Sequence, residues 1–449
     1  MIRRIIVLFA ITGSGHLFSI LALKFMAQRG QTSQVADIGE VESLIQLMIG
    51  LIGFGMQSDA IRNITISQEH WKDKFREAQT ARITLSLLLI ALISLSFVNP
   101  VYLCFIMAPF FAASGDYALY AKGFPITGTF VAFSRAIFPL LMSVVSIYIW
   151  PNHVFAVYVG ATLICYAATN AFISFFLKTN YFYSPSITSL RLYLKTLPLG
   201  IITLCFYFFG LGILLLAQFF FAGEELVISF LALKFYVIFK GAIRVIHQAF
   251  LNKMTHLKVC LSIDQISIML SLIFLGSTLI YPDIFISTFF GAQFLPDHLF
   301  FACIALSALV FSIMGSASTR TILEGMDLKY MKTAVASVVI SISFFGVIYQ
   351  ISDNVLSIAV SLLAGELAFT ILSGIYFFRP KDVWLRISFV VLCSLVLVLP
   401  LLVKVLFGET LLTYIIGFGL MGLLMLLVTY RRINPVSYTH LTLPTNREV

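Results

Sequence analysis

Residues 223–250 read GEELVISFLALKFYVIFKGAIRVIHQAF, and the rest of the chain is best interpreted from this stretch outward. It is long and apolar enough to span a bilayer, yet Lys234 and Lys240 lie inside it. A charge at bilayer depth costs roughly 2.5–3.5 kcal/mol on insertion scales, so it usually faces protein or water. The i, i+4, i+7 spacing places Lys240, Arg244 and His247 on one helical face. Lys234 points roughly 120° away. We therefore expect this helix to line a wet, partly cationic cavity.

Composition assigns the whole chain to one class. It has 449 residues, of which 60% are hydrophobic and 11% are charged, and its mean hydropathy is +1.00. Soluble domains contain about 25% charged residues. Apolar runs near transmembrane length recur from end to end. We predict an all-α polytopic membrane protein. The formal charge of +9 does not indicate nucleic acid, because most Lys and Arg lie in short loops between the spans.

The apolar segments predict about fourteen transmembrane helices. They lie at roughly 5–27, 41–62, 83–99, 101–121, 128–150, 154–177, 197–221, 225–250, 262–280, 299–317, 333–350, 355–378, 384–405 and 411–430. The first is read as a retained span, since no A-x-A-like cleavage site follows it. The segment 281–298 is expected to be a loop or an interfacial turn.

Charge bias orients these spans. With the N-terminus in the cytoplasm, the predicted outside loops hold only Lys24, Arg29 and Lys404, while the other loop cations, among them Arg82 and Arg386, fall inside. This asymmetry persists over all the predicted crossings and places both termini in the cytoplasm. The one sizeable inside loop, 67–82, is mostly polar and too small for a catalytic domain.

A weak internal echo suggests two blocks. The segment 39–64 and the opening stretch both begin with Gly-Glu and end their span in Ala-Ile-Arg. Each opens the second span of a six-span block, at 1–195 and 196–380. Two further spans occupy 381–433. The polar tail 434–449, NPVSYTHLTLPTNREV, resembles sequencing-adapter read-through and is excluded as non-native.

Two deep polar positions lie in the first block. Arg135 is near mid-depth in the fifth predicted span, and Pro139 follows it by four residues. A proline clashes with the carbonyl of residue i−4, here that of Arg135. A kinked helix beside a buried cation is typical of a substrate or ion site. The alternative is a plain kink with Arg135 paired to Asp116 on the adjacent span, and the two interpretations are compatible.

Further candidates lie at other depths. Glu366 is near mid-depth in the twelfth span, where it is either a proton carrier or, slightly favoured, a partner of Lys234 or Lys240. Arg244 and His247 fall near the cytoplasmic end and are interpreted as ordinary interfacial groups. His16 is interpreted as a satisfied core histidine.

Several chemistries find no signature in the sequence. It contains no P-loop, HExxH motif, metal-ligand cluster or recognisable catalytic pair of carboxylates. The six cysteines form no CxxC pair and are interpreted as small buried hydrophobic residues. We therefore predict transport without an enzymatic activity, a metal or a cofactor.

The layout resembles the multidrug/oligosaccharidyl-lipid/polysaccharide (MOP) exporter superfamily, and within it the bacterial O-antigen and capsule flippases. Residues 11–30, ITGSGHLFSILALKFMAQRG, are similar to that family's opening helix with its small-residue patch. Residues 53–62, GFGMQSDAIR, are similar to its second-span ending. The resemblance covers the chain to Arg432 through the six-plus-six arrangement with two extra spans.

The resemblance implies two six-helix lobes around a central cavity in the bacterial inner membrane. It implies export of an undecaprenyl-pyrophosphate-linked oligosaccharide by alternating access, for O-antigen or capsule synthesis. Arg135, Lys234 and Lys240 match the family's cavity cations in kind, and Asp116 and Glu366 are candidates for coupling to H⁺ or Na⁺ or for ion pairing. The deep residues comprise three cations and two carboxylates, and this excess of positive charge modestly favours an anionic substrate. The alternatives are a multidrug or small-molecule cation antiporter of the same fold and, less favoured, a polysaccharide polymerase, which would need a large outside loop.

Overall fold

The computed structural model describes residues 2–66, 70–97, 100–249, 257–352 and 354–433, and within these ranges the chain is helical with no β-strand. The prediction of an all-α polytopic membrane protein is confirmed. Eleven helices of this described part are long and apolar enough to cross a membrane, by length and composition. Two shorter apolar helices span His298–Ile313 and Leu411–Met425. The count of fourteen spans stays a prediction.

The α-helices follow one another with short connections. Those of residues 1–195 are α1 (Ile2–Gln28), α2 (Thr32–Gly53), α3 (Met56–Ile66), α4 (Trp71–Leu89), α5 (Ala108–Ala112), α6 (Asp116–Ala121), α7 (Pro125–Ile149), α8 (Val154–Leu177) and α9 (Arg191–Lys195). Those of residues 196–380 are α10 (Leu197–Tyr207), α11 (Ile213–Ala217), α12 (Glu224–Ala249), α13 (Leu257–Ile280), α14 (Pro282–Phe289), α15 (His298–Ile313), α16 (Ser316–Leu323), α17 (Asp327–Ser352) and α18 (Leu356–Phe377). The last are α19 (Pro380–Ser394), α20 (Val398–Phe407) and α21 (Leu411–Ile433).

Four of the predicted spans are interrupted. The chain breaks between α2 and α3, between α5 and α6, and between α15 and α16. Between α10 and α11, Phe209 and Gly210 leave helical dihedral angles. An interruption frees backbone N–H and C=O groups, and in a bilayer these groups need partners from the protein. Polar side chains beside all four breaks supply such partners; at the break between α2 and α3 they are the hydroxyls of Tyr193 and Thr196.

The helices pack into a continuous bundle. In the first block, α7 packs against α1 and α8; in the second, α18 packs against α15 and α17. The two blocks meet where α1 contacts α12 and where α2 contacts α10 and α12. The last helices pack mainly on the second block, through contacts of α13 with α19 and α21.

Two boundaries differ from the sequence prediction. α4 begins at Trp71, so most of the segment predicted as the loop 67–82 is helical, and the apolar helix runs from Trp71 to Leu95. Its first turns are amphipathic: Phe75 and Ala78 are buried while charged neighbours are exposed, so mean polarity misjudged them. Segment 281–298 contains α14 and a 3₁₀ turn over Ala292–Asp297. The tail 434–449 lies outside the described residues.

Candidate functional site: ion pairs at membrane depth

Arg135 on α7 binds the broken span formed by α5 and α6. Its Nη1 lies 3.5 Å from Oδ2 of Asp116, and the two side chains are 8% and 26% exposed. Its other hydrogen bonds go to Ser114 Oγ (2.9 Å), Thr169 Oγ1 (2.9 Å) and Asn170 Oδ1 (2.8 Å). The ion pair weighed as the alternative to a substrate role is therefore formed in this conformation.

A second arginine holds the same break from α4. Arg82 is 4% exposed, and it donates hydrogen bonds to the carbonyl oxygens of Ser114 (2.5 Å) and Phe111 (3.1 Å). Gln79 accepts a hydrogen bond from Arg82 at 2.8 Å and donates one to the Ala113 carbonyl at 3.1 Å. These bonds satisfy carbonyls that the interrupted helix leaves free. The assignment of Arg82 to a cytoplasmic loop was wrong, because the side chain is buried under the break.

Lys234 joins the two blocks. Its Nζ lies 2.5 Å from Oε2 of Glu42, and the side chains are 9% and 17% exposed. Glu42 belongs to α2 of the first block and Lys234 to α12 of the second. The Phe230 ring lies 5.4 Å from the ammonium group and covers it on one side. From the sequence, Glu366 was the expected ion-pair partner of Lys234 or Lys240. In the structure, the partner of Lys234 is Glu42.

Lys240 lies in the second block beside the distorted turn between α10 and α11. Its Nζ lies 2.5 Å from Oε1 of Glu366, whose side chain is 1% exposed. Tyr236 donates its hydroxyl to the same oxygen at 2.5 Å. Lys240 also donates to the Phe209 carbonyl at 3.1 Å, at the residue where the helix is distorted. The favoured prediction of Glu366 as an ion-pair partner agrees with this geometry.

A fourth ion pair, between Asp264 and Arg386, was not recognised in the sequence. Two guanidinium nitrogens lie 2.7 Å from Asp264 Oδ2, and the side chains are 0% and 1% exposed. Ser316, the first residue of α16, donates its backbone N–H to Asp264 at 2.8 Å and its hydroxyl at 2.6 Å. The carboxylate thus holds the break between α15 and α16, and Arg386 ties α19 to it. Arg386 had been counted as a loop cation, which was wrong.

The remaining polar candidates have less distinctive surroundings. Arg244 is exposed at the end of α12, whereas His247 is buried with its Nδ1 3.4 Å from Thr319 Oγ1. His16 is half-buried, and its Nε2 lies beside Gly241. The position of Arg244 agrees with its interpretation as an interfacial group, the burial of His247 does not, and the interpretation of His16 as a satisfied core histidine stays a prediction.

The charge balance of the deep candidates corrects the sequence-based tally. Glu42 adds a third carboxylate, so each of the three proposed cavity cations has one acidic partner. The modest preference for an anionic substrate rested on an excess of positive charge among the deep residues. The three ion pairs have no net charge, so this excess is absent. Glu42 was missed because it follows Glu40 at the start of its span, where acidic residues are common on the water-facing side.

Metal and thiol chemistry have no centre in the described part of the chain. No group of three or more His, Cys, Asp and Glu side chains there could hold a metal ion. The six cysteines, all within the described ranges, form no disulfide bond, and five of them are buried.

Solved structures with a similar arrangement of helices are membrane transporters. The lipid II flippase MurJ in an inward closed conformation aligns with a TM-score of 0.69 and 13% identity, over 96% of this chain and 99% of that one. An inward-facing multidrug resistance MATE transporter of the MOP superfamily aligns with a TM-score of 0.62 and 15% identity, over 86% and 98%. The chain has the MOP superfamily fold.

This MOP fold is recognised by structure and not by close sequence similarity. A MOP superfamily transporter from Pyrococcus furiosus, described as having a binding pocket of reverse polarity, aligns with a TM-score of 0.52 and 14% identity, over 86% of this chain and 93% of that one. The sequence matches no family model, and no curated protein matches it.

Proposed function

We propose that this chain is a MOP-type flippase that moves an undecaprenyl-pyrophosphate-linked oligosaccharide across the bacterial inner membrane by alternating access. The observation that carries the proposal is the set of paired cations at membrane depth, above all the Lys234–Glu42 pair between the two blocks. The MurJ alignment adds support. It covers 96% of this chain and therefore includes at least part of the last helices, α19–α21. Residues 1–195 and 196–380 would then act as lobes, with both termini in the cytoplasm.

In this proposal a diphosphate replaces the carboxylates around the cations. Lysine and arginine form charge-assisted hydrogen bonds with phosphate oxygens, and two negative phosphates compete well with one carboxylate. Lys234 and Lys240 keep 9% and 13% of their side chains exposed, so an entering headgroup can reach them. Exchange at Lys234 would also break a contact between the lobes, and substrate binding would thereby favour their separation.

The displaced carboxylates suggest how an ion could be coupled to transport. Asp116 and Glu366 each lose a cation partner when Arg135 or Lys240 turns to the substrate. A carboxylate that has lost its cationic partner favours uptake of a proton or Na⁺. Binding of diphosphate and of a coupling cation would then reinforce each other.

A multidrug or cation antiporter remains the second candidate function. Two observations favour it: the even charge balance of the three pairs and the MATE alignment at a TM-score of 0.62. In that case a cationic substrate would replace the lysines and the arginine, and the carboxylates would make the contacts.

Removing the two members of each pair separately tests the two functions. The cation set is Arg135→Met, Lys234→Met and Lys240→Met; the carboxylate set is Asp116→Asn, Glu42→Gln and Glu366→Gln. For a lipid-linked diphosphate, we expect the cation set to lower surface polysaccharide by about tenfold or more in a strain lacking its own flippase, since a charge-assisted bond contributes roughly 1.5–3 kcal/mol. Glu42→Gln should retain most export, whereas Asp116→Asn and Glu366→Gln should lower it, because these two carboxylates bind the coupling cation in this proposal.

Membrane abundance of each variant serves as the control, because an unpaired buried charge also destabilises the fold. Wild-type export by all three cation variants would refute the flippase proposal. Loss of drug resistance confined to the carboxylate set would support the antiporter instead.

A further inference from the structure

A polar cleft lies between the start of α4 and the segment 180–195 that joins the two blocks. Its volume is about 940 Å³, and its lining includes Arg76 from α4 and Arg191 and Lys195 from α9. All three side chains are exposed, and none forms an ion pair with a described residue. The cations described above at membrane depth have carboxylate or carbonyl partners, whereas these three exposed cations line one cleft.

The three basic residues of the cleft outnumber its two acidic residues, Asp73 and Glu77. Glu77 lies 3.5 Å from Lys74, and Asp73 lies 3.8 Å from His70. The cleft therefore retains a net positive charge and suits an anion. Lys74, which lies outside the cleft lining, partly offsets the charge of Glu77.

Hydroxyl groups add hydrogen-bond donors on a fixed wall. Ser184, Ser186 and Thr188 line the cleft. The Ser186 backbone N–H donates to Thr84 Oγ1 at 2.9 Å and fastens this wall to α4. Cations with several hydroxyls match the requirements of a phosphate group.

The same segment presents apolar side chains to the surroundings. Ile187 and Leu194 are 83% and 73% exposed, and they flank Arg191 on the 3₁₀ turn Ile187–Leu190 and on α9. Exposed apolar residues next to cations are typical of a segment lying in the membrane interface. A soluble anion would make no use of these apolar residues, whereas a lipid would use both sets.

We propose that this cleft binds the phosphate headgroup of an anionic phospholipid such as phosphatidylglycerol, with the acyl chains against Ile187 and Leu194. The lipid is separate from the transported substrate and does not depend on its identity. Because the segment connects the two blocks, a bound lipid would contact the part of the chain that must bend when they move.

Native mass spectrometry of the purified full chain tests the site. We expect wild-type protein to bind phosphatidylglycerol about tenfold more tightly than phosphatidylcholine, since only the phosphatidylglycerol headgroup carries a net negative charge for the basic residues to bind. The triple variant Arg76→Gln, Arg191→Gln, Lys195→Gln should lose this preference. The matched control Lys329→Gln, Lys332→Gln, Lys381→Gln removes three exposed cations elsewhere and should keep it.

Two further comparisons secure the result. If the first triple variant does not fold, Ile187→Ser with Leu194→Ser keeps the charges and should still weaken phosphatidylglycerol binding severalfold. The assignment to a lipid would be overturned by any of three results. The control triple could lose the preference for phosphatidylglycerol equally, or the cleft variants could keep it. Millimolar glycerol phosphate could also displace the lipid.

Discussion

At the residue scale, the Asp264–Arg386 pair is expected to dominate stability. Both side chains are essentially inaccessible, and Asp264 also accepts two hydrogen bonds from Ser316. Removing one partner of a buried ion pair costs roughly 3–5 kcal/mol, because the other charge stays buried. Arg386→Met should therefore lower the thermal unfolding midpoint of the detergent-solubilised protein markedly.

The less buried pair Lys404–Glu409 provides the matched control. Its side chains are 30% and 25% exposed. Glu409→Gln should change stability by about 1 kcal/mol or less, since surface pairs contribute little. The double variant Asp264→Leu, Arg386→Leu should recover part of the loss. If Arg386→Met and Glu409→Gln unfold at the same temperature, the assigned role of the buried pair is wrong.

Individual residues were also the hardest feature to predict from sequence. Arg135, Lys240 and Glu366 were found because an isolated charge inside an apolar run is conspicuous. Glu42 and Asp264 lie within two residues of predicted span ends, where a charge needs no special explanation. Pairing distinguishes them, and pairing depends on contacts between helices far apart in sequence. A carboxylate in the apolar context of residues 261–270, LSIDQISIML, was the signal available for Asp264.

At the element scale, the break between α2 and α3 depends on Gly55. Its φ is +76°, a region that side chains rarely adopt, and a Cβ there would lie 2.6 Å from the backbone nitrogen of Gly200. Gly55→Ala should destabilise the protein by more than about 1–2 kcal/mol, the cost of a left-handed conformation alone. Gly160, within α8, has open space around the position that a Cβ would take, with no atom within 4 Å, so Gly160→Ala should be neutral or slightly stabilising. Thermal unfolding of both variants checks this, and equal midpoints would contradict it.

Hydropathy predicted where helices exist but not where they break. Most of the predicted spans have a helical counterpart, because twenty apolar residues have few other stable conformations in a bilayer. The interruptions near Ser114 and Ser316 left no comparable signal. Each is stabilised by a polar side chain from a different helix, and hydropathy averaged along one span contains no such information.

At the scale of the whole molecule, Lys24 links the two blocks at a second place. Its ammonium group donates to the carbonyl oxygens of Ser287 (2.7 Å) and Thr288 (2.6 Å), at the end of α14. Lys24→Met removes both bonds, and a loss of about 2 kcal/mol would shift the equilibrium between conformations roughly thirtyfold. Distances between spin labels on α1 and α14 should then lengthen or broaden. Lys24→Arg retains the donors and should leave the distribution near that of the wild type; identical distributions for both variants would exclude the link.

Arg82 and Asp264 each stabilise an interrupted helix, one in each block, and the two interruptions can be compared as products of a possible gene duplication. In the first block a cation binds backbone carbonyls at Ser114, and in the second an anion binds the backbone N–H of Ser316. If the blocks descend from one duplicated gene, they have since acquired opposite chemical polarity at corresponding places. Arg82 and Ser114 both belong to the first block, and Asp264 and Ser316 both belong to the second, so each block stabilises its own interruption. A chimaera built from two copies of the first half would therefore keep a donor for the freed carbonyls of both copies.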